Sequence, residues 1–373
     1  MRSPGQRARF GVIAVVLGLA GCAGHAAGGL APTTLGAAGA SRVDMLVVTT
    51  RAPTGRPDMP FDGERGAKVE IDRVEVSIPP ERTRTVGEVQ WPSGRPTDPA
   101  RGFAVVGTSA MDTPAVRHWF HRTGKRRVLV FVHGFDTRHD EAVFRFAQLV
   151  HDTGTDFVPV LFSWASRGSV WAYDYDKESA TVARDALERV LRTAVADPGV
   201  ADVTVLAHSM GGWPAVEAVR QMAIRDGGVS AKLGNVILAS PDLDVDVFRG
   251  QLARIGRGPR FTLFVSRDDH ALDLAKFVAG GGVRLGAIDP FAAPHRAMLE
   301  RQGVDVIDLT AMSGGDSLNH DQFTKSPDVV RLLGERFLAG QPVSDAHVGL
   351  GDRVGAVLIG TVGSVTTLAV GAR

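Results

Sequence analysis

One cysteine and two tyrosines in 373 residues are the scarcest features of this chain. A lone cysteine, Cys22, excludes an intramolecular disulfide framework, so the fold must rest on its apolar core. Net charge is nearly absent too. It is +1, and falls to −2 once Arg2, Arg7 and Arg9 are removed with a leader. So even a balance lacks the basic surface that nucleic-acid binding requires, and no nucleic-acid partner is expected. The chain has no H-E-x-x-H pair, no P-loop, no glycine fingerprint following a strand and no internal repeat, so neither a metal nor a cofactor is expected. What is present is apolar material: 44% hydrophobic against 22% charged, enough for one large core.

The amino terminus carries its own signal. Met1–Arg9 is basic, Phe10–Ala20 is apolar but too short to cross a bilayer, and Leu19-Ala20-Gly21-Cys22 follows. Those parts in that order read as a secretory leader over residues 1–21 ending in a bacterial lipobox. Cys22 is then the expected site of lipidation, and several acyl chains anchor a protein where one does not. This places the chain in the bacterial cell envelope, tethered to a membrane and facing the periplasm or the exterior. Residues 22–42, rich in Ala, Gly, Thr and Pro, read as a flexible tether.

Strand-like runs then appear at Val43–Thr50, Arg73–Ile78 and Phe103–Thr108, separated by Pro/Gly-rich loops. From Arg127 the pattern becomes regular. Val128–Val132, Val158–Phe162, Val203–Ala207, Asn235–Ala239, Phe261–Val265 and Val304–Leu309 are near-continuous apolar runs, as buried parallel strands require. Helical spacing separates them at Asp140–His151, Glu178–Val195, Trp213–Arg225 and Ala271–Val278, with a last helix expected over Ser326–Leu338. This alternation predicts an α/β domain over residues 43–340: a doubly wound, mostly parallel sheet with extra amino-terminal strands. Residues 341–373 form a tail; its uncharged stretch Val354–Ala372 reads either as a helix docked on the domain or as loose chain.

The chemistry centres on Val203–Trp213. A buried strand runs into Ala207-His208-Ser209-Met210-Gly211, and helical spacing resumes at Ala215. Strand, sharp turn with serine at its apex, then helix is the setting in which a nucleophile elbow works. The turn strains the serine backbone at a cost of about 1–3 kcal/mol, and positions two before and two after it must be small. Serine needs a base, and the base needs a carboxylate to hold its tautomer. In this arrangement acid and histidine follow later strands. Ser266-Arg267-Asp268-Asp269 follows Phe261–Val265, and Asn319-His320-Asp321 follows Val304–Leu309. Asp269, immediately before the next helix, is the expected acid; Asp268 reads as a turn or capping residue, and Asp242 is a third candidate. His320 is the expected base. Backbone N–H groups of Met210 and of Phe135, after the turn glycine Gly134, are the expected oxyanion donors.

Other clusters read as structural. Trp164 cannot fill the small position of an elbow, so Ser166 is a loop residue. Asp242-Leu243-Asp244-Val245-Asp246 lacks the glycine and glutamate of a calcium loop. His118-Trp119-Phe120-His121 is an exposed helix face, and His133 supports the turn beside it. Phe135, Trp164, Trp171, Tyr173 and Trp213 either line an acyl pocket or pack the core.

With elbow, His133-Gly134, late Asp and late His in order, the chain resembles the α/β-hydrolase superfamily. It resembles more narrowly the bacterial family called domain of unknown function 900. The narrower likeness rests on Thr49-Thr50-Arg51, Phe61-Asp62-Gly63-Glu64-Arg65-Gly66, Val76-Ser77-Ile78-Pro79, Phe131-Val132-His133-Gly134-Phe135, Phe162-Ser163-Trp164, Tyr173 with Asp176, and Ser266–Leu272. Two departures stand out: Ala165 where the family often has proline, and no histidine in Glu81–Gly87. The resemblance implies a hydrolase fold with esterase-like chemistry. The expected activity is that of a membrane-tethered serine hydrolase on carboxylic esters, with a small-molecule ester or a lipid as substrate. Thioester or amide hydrolysis, and a non-catalytic binding protein on the same fold, are the alternatives.

Overall fold

A computed structural model describes residues 28–278, 281–310, 319–334 and 357–359. The leader and Cys22 lie outside the described residues. Three amino-terminal strands come first: β1 (Ser41–Arg56), β2 (Met59–Ile78) and β3 (Ala104–Ala110). The alternating part follows as α1 (Thr113–Arg122), β4 (Arg127–Val132), α2 (His139–Thr153), β5 (Val158–Ser163), α3 (Tyr173–Ala196), β6 (Asp202–His208) and α4 (Gly212–Asp226). It continues through β7 (Leu233–Ala239), α5 (Val245–Ile255), β8 (Arg260–Val265), α6 (His270–Val278), α7 (Ala293–Gln302), β9 (Val304–Asp308), α8 (Gln322–Lys325), α9 (Pro327–Leu332) and β10 (Val357–Ile359).

The strands form one ten-stranded sheet in the order β10-β9-β8-β7-β6-β4-β5-β1-β2-β3. From β9 across to β1 every pairing is parallel, and the pairings with β10, β2 and β3 are antiparallel. This is an α/β-hydrolase sheet with added amino-terminal strands, doubly wound because helices pack on both of its faces, and successive side chains of a strand meet opposite layers. In β4, Val128, Val130 and Val132 join the apolar layer beneath α3, α4 and α5, whereas Leu129 and Phe131 join the layer under α2 and the carboxyl-terminal helices. Both faces are covered, which is why these strands read as unbroken apolar runs.

The parallel strands all end at one edge. There β1 pairs with β5 only as far as Thr49 against Ser163, then continues to Arg56 and turns back at Met59. The β1–β2 hairpin therefore projects beyond the edge where ligands bind in such sheets. Two expectations need correction. Residues 28–42 are not loose tether: Leu30 and Thr33 are buried, Leu30 N–H donates to Asp58 O (3.2 Å) and Thr33 N–H to Val105 O (2.8 Å). In the tail, Val357–Ile359 is extended, pairing antiparallel with Val306–Asp308; the last helix is described only as Pro327–Leu332. Among the described residues no helix is long and apolar enough to cross a membrane.

Candidate active site

The elbow stands at the carboxyl end of β6. Ser209 adopts φ 50°, in the left-handed region, and is 5% exposed. A non-glycine residue holds that conformation only where its neighbours impose it, and the imposing contact is with β4. A Cβ placed on Gly211 would stand 2.3 Å from His133 O and 2.8 Å from Val132 O, so the elbow leaves no room there for alanine. Ala207, on the other side of the serine, is wholly buried.

The late acid and histidine come together. His320 Nδ1 lies 2.7 Å from Asp269 Oδ2, with Asp269 only 1% exposed. Nδ1–H donating to the carboxylate leaves Nε2 as the ring nitrogen that exchanges a proton. Asp269 serves two ends at once, because its Oδ1 accepts from the Leu272 N–H (3.1 Å) in the first turn of α6. The helix following β8 thus fixes the carboxylate that fixes the histidine.

That corrects one expectation. Asp269 itself makes the capping bond, and Asp268 reaches the other way. Asp268 accepts from the Ser266 hydroxyl and from Asn319 Nδ2 (3.3 Å), steadying the loop that carries His320. Asn319 is itself left-handed, at φ 56°. Asp242 serves elsewhere: it accepts from the Tyr173 hydroxyl (2.9 Å) and faces Arg284 Nε (3.2 Å). Asp244 caps α5 through the Asp246 and Val247 N–H groups.

His208, next to the serine, has no role in the sequence reading. Its ring lies 4.8 Å from that of His320 and 4.5 Å from Phe323. Burial, and then the neighbouring His320, press its pKa down to about 3. The imidazole is therefore neutral at working pH and packs as a ring.

On the β4 side, Gly134 brings the next loop hard against the elbow. A Cβ there would stand 2.9 Å from Ser209 Cβ and 3.0 Å from His208 Nδ1. Met210, after the serine, is buried, and Phe135, after the glycine, meets the Tyr173 ring edge-on at 5.3 Å. Both expected donors thus belong to segments packed at the elbow. Of the other aromatics, Trp164 is fully buried in the core while Trp171 is 77% exposed.

What the sequence reading missed lies behind this loop. Arg51 is fully buried. Its Nε donates to Ser163 Oγ (2.9 Å), Nη1 to Asp62 O (3.1 Å) and Ser166 O (2.7 Å), and Nη2 to Thr137 O (2.7 Å). His133 Nδ1–H donates to Gly134 O (2.8 Å), which leaves Nε2 of the neutral ring to accept from Arg51 Nη2 (3.3 Å), with Trp164 O 3.2 Å from the same nitrogen. Burial lowers the guanidinium to about 10, against the opposing pull of Asp176, Asp140, Glu141 and Asp62, so it stays charged at neutral pH. Burial, and then the charge of Arg51, press His133 down to about 3. His133 stacks on Trp164 at 4.9 Å. Ser166 is a buried partner of Asp176 rather than a plain loop residue: its hydroxyl donates to Asp176 Oδ2 at 2.5 Å and accepts from Thr137 N–H at 3.0 Å. The sequence signal for this hub was an arginine closing the otherwise apolar run Met45–Thr50.

A profile of the family described as alpha/beta hydrolase of unknown function (DUF900) matches residues 111–336, more than half of the chain. The chain belongs to the DUF900 family. No curated protein matches it. Among solved structures it is similar to the lin2722 product of Listeria innocua (10% identity, 56% of this chain and 92% of that one, TM-score 0.36). It is also similar to a protein described as a cell surface hydrolase from Lactobacillus plantarum WCFS1 (11%, 59% and 95%, TM-score 0.37). A CIB-like hydrolase predicted in Thermoplasma acidophilum aligns at 13% identity over 81% of this chain and all of that one, with a TM-score of 0.35. These likenesses are loose, and membership of the DUF900 family rests on the profile alone. Among the described residues no group of three or more His, Cys, Asp or Glu side chains is arranged to hold a metal ion.

Proposed function

We propose that this DUF900 protein is a serine hydrolase of carboxylic esters, tethered by lipid at Cys22 to a membrane of the bacterial cell envelope and facing the periplasm or exterior. Ser209 Oγ attacks the acyl carbon while His320 Nε2 takes the hydroxyl proton. Asp269 holds the ring tautomer and stabilises the imidazolium. The negative charge developing on the carbonyl oxygen is met by the backbone N–H groups of Met210 and Phe135. Collapse of the tetrahedral intermediate breaks the ester C–O bond, and His320 returns the proton to the departing alcohol. Water, deprotonated by the same histidine, then releases the acid and restores Ser209.

The observation that supports this reading most is the buried 2.7 Å contact between His320 Nδ1 and Asp269 Oδ2, on a loop whose histidine ring lies tilted against that of His208 beside the strained elbow. The carboxylate is held from behind by the Leu272 N–H, which leaves its other oxygen to fix the tautomer of the histidine. The test is turnover on matched acyl esters, thioesters and amides. Esters are expected to be cleaved fastest, and Ser209→Ala to fall to background on all three. A purified, folded wild type inactive on every member of the panel would leave the fold serving as a binding platform.

A further inference from the structure

Eleven large hydrophobic side chains are exposed among the described residues, and their distribution is uneven. Six belong to three segments at the edge where the parallel strands end: Val170 and Trp171 after β5, Val247 after β7, and Phe277, Val278 and Val283 after β8. Trp171 is 77% exposed and Phe277 75%.

These segments are stitched together above the sheet. Tyr173, two residues beyond Trp171, donates to Asp242, and Asp242 faces Arg284. Val245 N–H donates to Val283 O (3.1 Å), and a Cβ on Gly282 would stand 2.6 Å from Asp244 Oδ2. Gly281 N–H donates back to Lys276 O (2.9 Å), tying the end of α6 to the same place. The chain then returns to the strand ends, with Gly286 N–H donating to Pro241 O and Ser266 N–H to Gly286 O. Among the described residues, 269–278 and 281–286 stay near the strand ends instead of descending to the far edge as a crossover helix would. They form an apolar cap over the ends of β7 and β8.

The start of the described chain lies at this same edge, on the opposite flank of Ser209. Gly28 packs against Asp58 at the tip of the β1–β2 hairpin, which overshoots the parallel strands. Cys22 precedes Gly28 by six residues. Fully extended, that span covers at most about 22 Å. A lipid at Cys22 would hold this edge, rather than its opposite, close to the bilayer.

We propose that the cap is the membrane-docking surface of the protein. With the hairpin and its anchor on one flank and the cap on the other, the strand-end edge that carries Ser209 faces the lipid surface, and the esters it meets are those of membrane lipids. The proposal rests on the serine-hydrolase reading for its substrate class, and for docking on the exposed apolar side chains together with the place where the described chain begins. Apolar side chains exposed along one edge insert at the headgroup boundary, whereas in water they are a liability.

The test uses the full chain carrying Cys22→Ser, so that binding reports the domain surface and not an acyl chain. Sedimentation with vesicles of phosphatidylethanolamine and phosphatidylglycerol is measured alongside thermal melting. The parent is expected to bind, and its tryptophan emission to be quenched by vesicles containing brominated acyl chains. Adding Phe277→Ser with Val278→Ser should weaken binding at least tenfold with melting unchanged. Adding Val182→Ser with Ile224→Ser, exposed on α3 and α4 away from the cap, should leave binding as it was. A parent that stays in the supernatant, or a control pair that weakens binding as much as the cap pair, would overturn the proposal. No turnover enters the measurement, so failure of docking and failure of the hydrolase reading are separately visible.

Discussion

Two clusters of serine, aspartate and histidine flank the end of β4, and they are built for opposite purposes. Ser166, Asp176 and His133 are buried, and the serine hydroxyl donates straight to the carboxylate. The histidine of that group is held neutral beside Arg51. Ser209, Asp269 and His320 pair differently: here the carboxylate holds the histidine, and the serine stands apart on a strained turn. The same three residue types thus give a fixed scaffold when serine spends its proton on the acid. They give a carboxylate–imidazole pair when the acid accepts from the histidine. Partner choice, and not composition, separates the fixed cluster from the one we propose to be reactive.

The sharpest way to break that comparison is to weaken the carboxylate in the second cluster. Asp269→Asn keeps an oxygen for the Leu272 N–H but donates to the histidine where it should accept, so turnover on esters should fall about 10⁴-fold with melting nearly unchanged. Asp268→Asn, which touches only the loop beside it, should stay within about tenfold, a barrier change near 1.4 kcal/mol. Equal losses from both would mean that loop position, not tautomer control, is what matters at β8.

Next in size is the wall between the clusters. Gly134→Ala would press its Cβ to 2.9 Å from Ser209 Cβ, shifting the loop that carries Phe135. Losing one oxyanion donor lowers kcat about 10²- to 10³-fold, and we expect the lower end, with KM little changed. Steady-state kinetics on a single ester decides it: a rise in KM alone would mean that the loop shapes binding only.

The neutral histidines, His133 in the first cluster and His208 beside the second, should reveal themselves in stability. His133 and His208 have pKa values near 3 against an ordinary 6.5, chiefly from burial. Between those values acid protonates the imidazoles of the unfolded chain and not of the folded one. Their contribution is complete above pH 6.5 and is lost as pH falls toward 3. The melting temperature should decline across pH 6.5 to 4, and His133→Gln should flatten the decline while lowering the plateau. An unchanged slope would mean that His133 takes up a proton in place.

Much of this was legible in the residues. Six apolar runs marked the parallel strands within a residue or two, because a strand covered on both faces admits almost nothing polar. The sharp turn at Ser209 and the meeting of Asp269 with His320 were legible too, because each depends on local backbone and on strand ends. Arg51 was not, since burying a guanidinium depends on carbonyls from Asp62, Thr137 and Ser166, distant in sequence and brought together only by strand order. The swap between Asp268 and Asp269 as cap was equally hidden, because two adjacent carboxylates differ only in which way the turn aims them. The helix α7 went unmarked because it buries only Met298 and Leu299 and carries little periodicity, whereas α5, with Phe248, Leu252 and Ile255 on one buried face, was legible and was passed over.

The central claim, that chemistry lies with Ser209 and structure with Ser166, is tested most directly by a fluorophosphonate. The wild type, Ser209→Ala and Ser166→Ala are each treated, and the adduct is located by peptide mass spectrometry. The expected result is one adduct on Ser209 in the wild type and in Ser166→Ala, and none in Ser209→Ala. An adduct on Ser166, or equal labelling of Ser209→Ala, would contradict it.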